Sequence, residues 1–311
     1  MKTDNKIYDL VILGAGPAGL TASIYASRYK LDHVIIGKSI GGLATDAHKI
    51  CNYPSEKDIS GFELMEKIKD CALHAGGEIV MDEIIDIENE NGSFTIKTKL
   101  EKTFFTKTLL IASGTERRRL DIDNESQFFG RGISYCATCD GPLFKNKTVA
   151  VIGGSNSAIT AALHLASFAQ KVYLIYRKDQ LRGEPVWIEE AKNNSNIEII
   201  YNTNVVGVDG DTKLQKITLD NEHNNCSTLD VDGMFIEIGS VPKTVIYDKL
   251  GIKLDEKKYI IISPDQATSI EKIWAAGDVT TGSNNFRQII TACSEGAIAA
   301  ESIFKYLQLK G

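Results

Sequence analysis

The sequence has few cysteines and no long apolar run, and both shortages narrow the class of protein. Six cysteines in 311 residues are too few for a disulfide-rich secreted scaffold. No apolar stretch reaches the roughly 18 residues of a membrane-spanning helix, and the first residues carry no signal-peptide pattern. Basic residues are also in deficit, since 35 Lys and Arg stand against 41 Asp and Glu. We therefore expect a cytoplasmic globular protein that binds neither nucleic acid nor membrane.

Two stretches of the chain share one order of elements. Residues 7–13 predict a buried strand, which is followed by a glycine-rich turn, a helix and a second strand at 33–36. The same order returns within residues 147–177. Continuous apolar strands that alternate with helices are typical of parallel sheets covered on both faces. The sequence therefore predicts an α/β fold with two Rossmann-like dinucleotide-binding domains.

The segment after residue 240 indicates how these domains are arranged. Residues 259–263 and 273–278 predict strands, an Asn91-Gly92 turn predicts an earlier hairpin, and the tail from Phe286 predicts a helix. One apolar stripe is expected on that helix: Phe286, Ile290, Cys293, Ala297, Ala300, Phe304 and Leu307. A helix after a Gly-Asp strand end fits the first domain better than the second. We expect a first domain from residues 1–117 and 244–311, with the second, 118–243, inserted into it.

The first glycine-rich turn follows a strand and opens a helix, where a dinucleotide fingerprint belongs. Gly14 permits a tight turn, Gly16 lets the backbone approach a pyrophosphate, and Gly19 allows close packing of the helix. The candidate binding residues are Gly14, Gly16, Pro17, Ala18 and Gly19. The alternative is a glycine turn without a ligand. The acidic residue that usually meets the ribose is missing, because the second strand ends in Gly37-Lys38.

The second fingerprint is imperfect but is followed by a basic turn. Its candidate residues are Gly153, Gly154, Ser155, Asn156 and Ser157, with Ser155 where the glycine at the third position of the motif is expected. The next strand runs into Arg177 and Lys178, and Arg182 follows closely. Cations at the ribose 2′ position suit a 2′-phosphate, and therefore NADP rather than NAD. The alternative is a solvated basic turn.

Cys136 and Cys139 lie just before the second fingerprint. Two thiols separated by two residues can close a small disulfide and exchange electrons with little movement. A zinc site would need a second ligand pair, and the other cysteines are isolated: Cys51, Cys71, Cys226 and Cys293. We therefore favour a redox-active pair over zinc or coincidence, and we expect no metal. The carboxyl group of Asp140, next to the second cysteine, could move protons for thiolate chemistry.

Taken together, the motifs resemble those of bacterial-type, low-molecular-weight thioredoxin reductases across essentially the whole chain. They are GAGPAG, Gly41-Gly42 with Asn52, SYCATCDGPLF (134–144), VIGGSNSA, RKDQLR (177–182), AAGDV (275–279) and FRQIITA (286–292). The resemblance implies FAD on the domain built from both chain ends, NADPH on the inserted domain, and a homodimer. It also implies electron flow from NADPH to FAD, then to a Cys136–Cys139 disulfide, and then to the disulfide of thioredoxin or a thioredoxin-like protein.

The resemblance also implies roles for individual residues. Cys139 would face the flavin, Cys136 would attack the partner protein, and Asp140 would be the acid/base. Asp278 would meet the ribityl chain of FAD. The other implied FAD positions are Gly42, Asn52, Gly114, Gly277, Arg287, Gln288 and Ile289.

The chain departs from the family pattern at the coenzyme site and near the flavin. Leu43 stands where the family usually has a glutamine that contacts the flavin, and Ser155 replaces a glycine. The family's His-Arg-Arg is Tyr176-Arg177-Lys178 here, which keeps the charges but loses one bidentate arginine. Three alternatives remain open: a reductase that serves a peroxiredoxin, one that takes electrons from ferredoxin or NADH, and a flavin redox sensor without turnover.

Overall fold

The computed structural model describes residues 6–90, 92–242, 247 and 249–310. Asn91 of the expected Asn91-Gly92 turn and residues 243 and 244 at the expected second domain boundary lie outside this range. The strands are β1 (Ile7–Ala15), β2 (His33–Ile40), β3 (Ile79–Met81), β4 (Ile84–Glu90), β5 (Ser93–Thr98), β6 (Thr103–Ile111), β7 (Thr115–Arg117), β8 (Ile133–Ser134), β9 (Thr148–Ile152), β10 (Lys171–Ile175), β11 (Ile197–Ile200), β12 (Val205–Asp209), β13 (Lys216–His223), β14 (Cys226–Asp230), β15 (Gly233–Ile236), β16 (Ser240–Pro242) and β17 (Ile273–Ala275).

Seven α-helices are described, and two of them begin at residues that favour a helix start. They are α1 (Pro17–Arg28), α2 (Gly61–His74), α3 (Glu125–Phe128), α4 (Ala137–Asp140), α5 (Asn156–Ala166), α6 (Pro185–Asn193) and α7 (Ile289–Lys310). Helix α1 starts with a proline, whose missing N–H is not needed in the first turn. Helix α2 starts with a capping box in which Ser60 and Glu63 exchange side-chain and backbone hydrogen bonds.

The chain divides into two compact units, and each contains a parallel sheet. The first unit contains the residues up to Thr45, Ile50–Glu116 and the residues from Val241 onward. Its sheet has the order β3-β2-β1-β6-β5-β4, with β17 also paired to β6. Strands β3, β2, β1, β6 and β17 run parallel, whereas β4 and β5 add an antiparallel meander. The core strand β1 is buried almost throughout because both faces of the sheet are covered.

The second unit contains Arg117–Ser240 together with the short segment Asp46–Lys49. Its parallel sheet has the order β11-β10-β9-β15-β8, and β12-β13-β14 form a separate antiparallel sheet. The chain thus leaves the first unit, builds the second, and returns, with β7 and β16 paired at the crossings. The predicted α/β fold with one Rossmann-like unit inserted into another is confirmed.

Two local predictions near the C-terminus are wrong. Residues 259–263 form no strand, and Ile260 makes only isolated bridges to Leu254 and Thr280. The last helix begins at Ile289, and Phe286 is 61% exposed outside it. The buried residues of α7 are mostly small and only partly match the predicted stripe: Ala292, Cys293, Glu295, Gly296, Ala299, Ala300 and Ile303. The reason is close contact between α7 and α1, since a Cβ on Gly296 would lie 2.1 Å from the carbonyl oxygen of Ala18.

Candidate redox site and dinucleotide-binding turns

The cysteine pair forms a disulfide at the start of α4. Cys136 is the residue before the helix, Cys139 lies within it, and their Cα atoms are 5.3 Å apart. The backbone N–H of Cys139 donates a hydrogen bond to Sγ of Cys136 at 3.1 Å. Cys139 is exposed and Cys136 is half-buried. A disulfide that closes a loop of only four residues at an accessible position is suited to exchange with another thiol or disulfide.

Asp140 is linked to the backbone of Cys136 through the side chain of Ser134. Its Oδ2 accepts a hydrogen bond of 2.6 Å from Oγ of Ser134, a buried residue. The same Oγ accepts a bond of 3.0 Å from the N–H of Cys136. One hydroxyl group therefore links the Asp140 carboxylate to the backbone N–H of Cys136.

A second carboxylate, which the sequence analysis missed, lies at the sulfurs. Among the described residues, one oxygen of Asp46 lies within 4.8 Å of Sγ of both Cys136 and Cys139. Arg117 holds this side chain, because its Nη2 and Nε donate to Oδ2 of Asp46 at 2.8 and 3.3 Å. The hydroxyl of Thr138, between the two cysteines, donates to the main-chain oxygen of Asp46 at 2.7 Å. Asp46 is far from the cysteines in the sequence, so no local spacing could predict this contact.

Arg117 also pairs with a buried acid. Its Nη1 donates to Oε2 of Glu237 at 2.7 Å, and Glu237 is 6% exposed. Burial raises the pKa of Glu237 to about 7, although the guanidinium of Arg117 opposes this shift. The net charge of the Asp46–Arg117–Glu237 network therefore changes near neutral pH.

The first glycine-rich turn is tight at Gly14 and Gly19 and open at Gly16. Gly14 has φ +119°, and a Cβ there would lie 2.3 Å from the carbonyl oxygen of Ala112. A Cβ on Gly19 would lie 1.9 Å from the oxygen of Gly14, whereas a Cβ on Gly16 would find nothing nearer than 3.9 Å. The first turn of α1 has no side-chain cap and no acidic residue. Its N–H groups and the open face at Gly16 fit an anionic group such as the FAD pyrophosphate.

The turn after β17 lies beside α1. A Cβ on Gly277 would approach the Cβ of Ala18 to 3.1 Å. Glu295, which is buried on α7, fixes this turn by accepting from the N–H of Gly277 at 2.7 Å and from the hydroxyl of Thr280 at 3.1 Å. Burial raises the pKa of the neighbouring Asp278. The sequence analysis missed the contact of Glu295 with this turn, and the signal was a single buried acid among the small residues of α7.

Other predicted FAD positions meet within the first unit. Nδ2 of Asn52 donates to Oε1 of Gln288 at 3.1 Å, which joins two distant motifs. The guanidinium group of Arg287 contacts other residues of the first unit. Its Nε donates to the main-chain oxygen of Asp278 at 3.3 Å, and its Cζ lies 3.8 Å from the ring centroid of Tyr259. Gly42 is the first residue of a short 3-10 helix, and Gly114 adopts a positive φ of 63°. Ile289 is the first residue of α7.

The second fingerprint keeps its backbone geometry without a glycine at its third position, which is Ser155. Gly153 has φ +145°, and a Cβ there would lie 2.2 Å from the oxygen of Glu237. A Cβ on Gly154 would meet the buried ring of Tyr176 at 2.5 Å. Ser155 has φ −99°, a value open to any residue, and caps α5 without a side-chain bond. The free first turn of α5 fits a second pyrophosphate, and the expected Ser157 is exposed there.

The 182–184 turn closes onto this fingerprint. The N–H of Arg182 donates to the oxygen of Gly154 at 2.7 Å. Asn156 and Glu184 bond reciprocally, with Nδ2 donating to Oε1 at 2.9 Å and the N–H of Glu184 donating to Oδ1 at 2.6 Å. The side chain of Asn156 is therefore engaged by the protein itself.

The predicted basic cluster is solvent-facing. Arg177, Lys178 and Arg182 are exposed, and no described carboxylate lies within 4.0 Å of their charged nitrogens. Their charges are therefore available to an anionic ligand that binds at the end of β10.

Comparison with known proteins places the chain in a family. The pyridine nucleotide-disulphide oxidoreductase family matches residues 8–296. The chain belongs to this family. It is 39% identical over 310 residues to the thioredoxin reductase of Treponema pallidum, which covers 99% of this chain and 98% of that protein. It is 36% identical to the thioredoxin reductase of Listeria innocua, with 99% of this chain and 96% of that protein covered.

The fold gives the same result. The crystal structure of Lactococcus lactis thioredoxin reductase matches with a TM-score of 0.92 at 34% identity, covering 97% of this chain and 99% of that one. The resemblance to thioredoxin reductases that the motifs predicted is confirmed.

None of the helices in the described part of the chain has the length and apolarity needed to cross a bilayer.

Proposed function

We propose that the chain is an FAD-dependent reductase that passes electrons from NADPH, through FAD and the Cys136–Cys139 pair, to the disulfide of thioredoxin. The observation that carries this proposal is the disulfide itself, formed in a chain with two glycine-rich turns that each join a strand to a helix. The family and the full-length relatives support it.

FAD belongs to the first unit in this proposal. The turn from Gly14 to Gly19 would hold the pyrophosphate, and the neighbouring Asp278 would meet the ribityl chain. Asn52 and Gln288, already joined by a hydrogen bond, would lie toward the flavin with Arg287. Bound FAD supplies a carrier that accepts a hydride from a nicotinamide and passes the two electrons to a disulfide.

NADPH belongs to the second unit. The turn at Gly153 and Gly154 would hold its pyrophosphate, and Arg177, Lys178 and Arg182 would bind the 2′-phosphate. The exposure of these cations supports this assignment, since an anionic ligand could reach all three.

The two cysteines have different roles. Once reduced, Cys136 attacks one sulfur of the thioredoxin disulfide and releases the other partner sulfur as a thiolate. Cys139 then attacks Cys136, which re-forms the intrachain disulfide and releases the second partner sulfur. The two protons of the reduced pair end on thioredoxin. The N–H bond from Cys139 to Sγ of Cys136 stabilises negative charge on the attacking sulfur.

Asp140 supplies or removes the proton in these steps. The hydroxyl of Ser134 fixes this carboxylate beside the pair, because it donates to Asp140 and accepts from the backbone N–H of Cys136. In the same proposal the protein is a cytoplasmic homodimer with thioredoxin or a thioredoxin-like protein as its partner.

The decisive experiment is anaerobic mixing of the FAD-loaded protein with NADPH, NADH and reduced ferredoxin in separate runs. Bleaching of the flavin by NADPH, followed by reoxidation with thioredoxin, is the expected result. Bleaching by ferredoxin alone would assign a ferredoxin-linked reductase instead. Slow reduction with no transfer to thioredoxin would indicate a sensor.

The cysteine roles have their own test. Cys136→Ser leaves the Cys139 thiolate, and this variant is expected to show a long-wavelength thiolate–flavin charge-transfer band. Cys139→Ser is expected to lack the band, and both variants should retain FAD but fail to reduce thioredoxin. A band in the Cys139→Ser variant alone would reverse the assignment.

A further inference from the structure

We propose that the reduced cysteine pair and Asp46 form a binding site for Zn²⁺. The observation is a juxtaposition, since one ligand atom from each of Asp46, Cys136 and Cys139 lies within 4.8 Å of the other two. The sequence alone argued against zinc because no second ligand pair lay near the cysteines. The fold brings the missing ligand from a distant segment.

The ligand set suits zinc. Thiolates bind Zn²⁺ at about 2.3 Å and carboxylates at about 2.0–2.2 Å, so tetrahedral ligand atoms lie about 3.6–3.8 Å apart. The observed separations therefore need to change by only about 1–2 Å once the sulfur–sulfur bond is broken. Two cysteines separated by two residues are also the spacing found in zinc sites. A water molecule would complete the fourth position.

Asp46 is held near the sulfurs by hydrogen bonds to only one of its two carboxylate oxygens, so the other oxygen can bind a cation. Both Arg117 bonds go to Oδ2, and no described donor bonds Oδ1. Thr138 fixes the main chain of Asp46, and two residues on, the His48 ring stacks on His164 with centroids 3.6 Å apart. The segment Asp46–Lys49 is therefore fixed before any cation binds, which lowers the entropic cost of forming the site.

Reduction of the disulfide makes the two sulfur ligands available. In the disulfide the two sulfurs are bonded to each other and carry no thiolate charge, so the oxidised chain lacks two of the three ligands. In the reduced chain, Zn²⁺ displaces two protons from the thiols and forms two Zn–S bonds, with no change of oxidation state. Such a cation would also block attack on thioredoxin. That inhibition rests on the proposed function, whereas zinc binding does not.

The test measures zinc affinity on the full-length, FAD-loaded protein. The protein is reduced chemically, freed of reductant without air, and titrated with Zn²⁺ in competition with a chromophoric chelator. The oxidised protein is the control, because it keeps the exposed free thiols of Cys51, Cys71 and Cys226 but not the pair. We expect one additional Zn²⁺ per chain in the reduced form only. Far-ultraviolet circular dichroism confirms that each sample is folded.

Two matched variants locate the third ligand. Asp46→Asn should still accept a bond from Arg117 but loses the charged ligand, and it should weaken zinc binding at least about tenfold, the lower end of the loss caused by removing even an outer partner. Asp140→Asn should change the affinity by less than about threefold, because Asp140 is not part of the three-atom cluster. Equal zinc binding in both oxidation states would overturn the site. So would an unchanged affinity in Asp46→Asn, or an equal loss in Asp140→Asn. Because the reductant is chemical, these outcomes do not depend on NADPH or thioredoxin as substrates.

Discussion

The buried acid Glu237 should make the second unit less stable as the pH rises toward neutrality. In the folded chain its pKa is raised to about 7 from an ordinary value of 4.5. Between these values the folded chain holds a proton that the unfolded chain has released, so folding takes up a proton. The contribution of Glu237 to stability is therefore largest below about pH 4.5, falls as the pH rises, and levels off above about pH 7.

The magnitude follows from the width of this window. Each pH unit corresponds to about 1.4 kcal/mol for one proton, so Glu237 accounts for a loss of about 3 kcal/mol across the window. Glu237→Gln cannot ionise but can still accept the hydrogen bond from Arg117. The variant should lack this loss and should be the more stable protein at pH 8.

Urea unfolding of both proteins at pH 5 and pH 8 tests the reasoning. With about 2 kcal/mol per molar urea, the wild-type midpoint should fall by about 1–1.5 M more than the midpoint of the variant. The infrared band of the protonated carboxyl group should also disappear near pH 7 in the wild type only. An equal fall of both midpoints, with no such band, would refute the role of Glu237.

Three further predictions concern the dinucleotide sites. Gly296→Ala should lower the free energy of unfolding by about 1–3 kcal/mol and weaken FAD retention, because the added methyl group would meet the main chain of α1. Thermal unfolding and flavin release measure these two effects. Ser294→Ala, at an exposed position on the same helix, should have no effect. Arg177→Ala with Lys178→Ala should raise KM for NADPH at least about a hundredfold, since two charge-assisted contacts contribute about 1.5–3 kcal/mol each; an equal rise for NADH in steady-state kinetics would contradict a 2′-phosphate site. Ser155→Gly should lower KM for both coenzymes alike, because they share the pyrophosphate, and a gain for only one would contradict this.

The sequence by itself determined the α/β fold, the two glycine turns and the cysteine pair. These features are local: a strand, a tight turn and a helix follow one another within a few residues, so spacing alone predicts them. The disulfide between Cys136 and Cys139 is equally local, because two intervening residues bring the sulfurs together. Local signals also predicted a strand at 259–263 and a helix from Phe286, and both were wrong because tertiary contacts, not apolar pattern, set those elements.

Only the tertiary structure decided which charged groups surround the sulfurs and the FAD turn. Asp46 reaches the cysteines, and Glu237 reaches Arg117, across long stretches of sequence. Glu295 fixes the Gly277 turn from the next helix. Charge interactions act through space and carry no periodicity along the chain, so neither spacing nor composition could have paired these groups. The burial that raises the pKa of Glu237 likewise exists only in the folded chain.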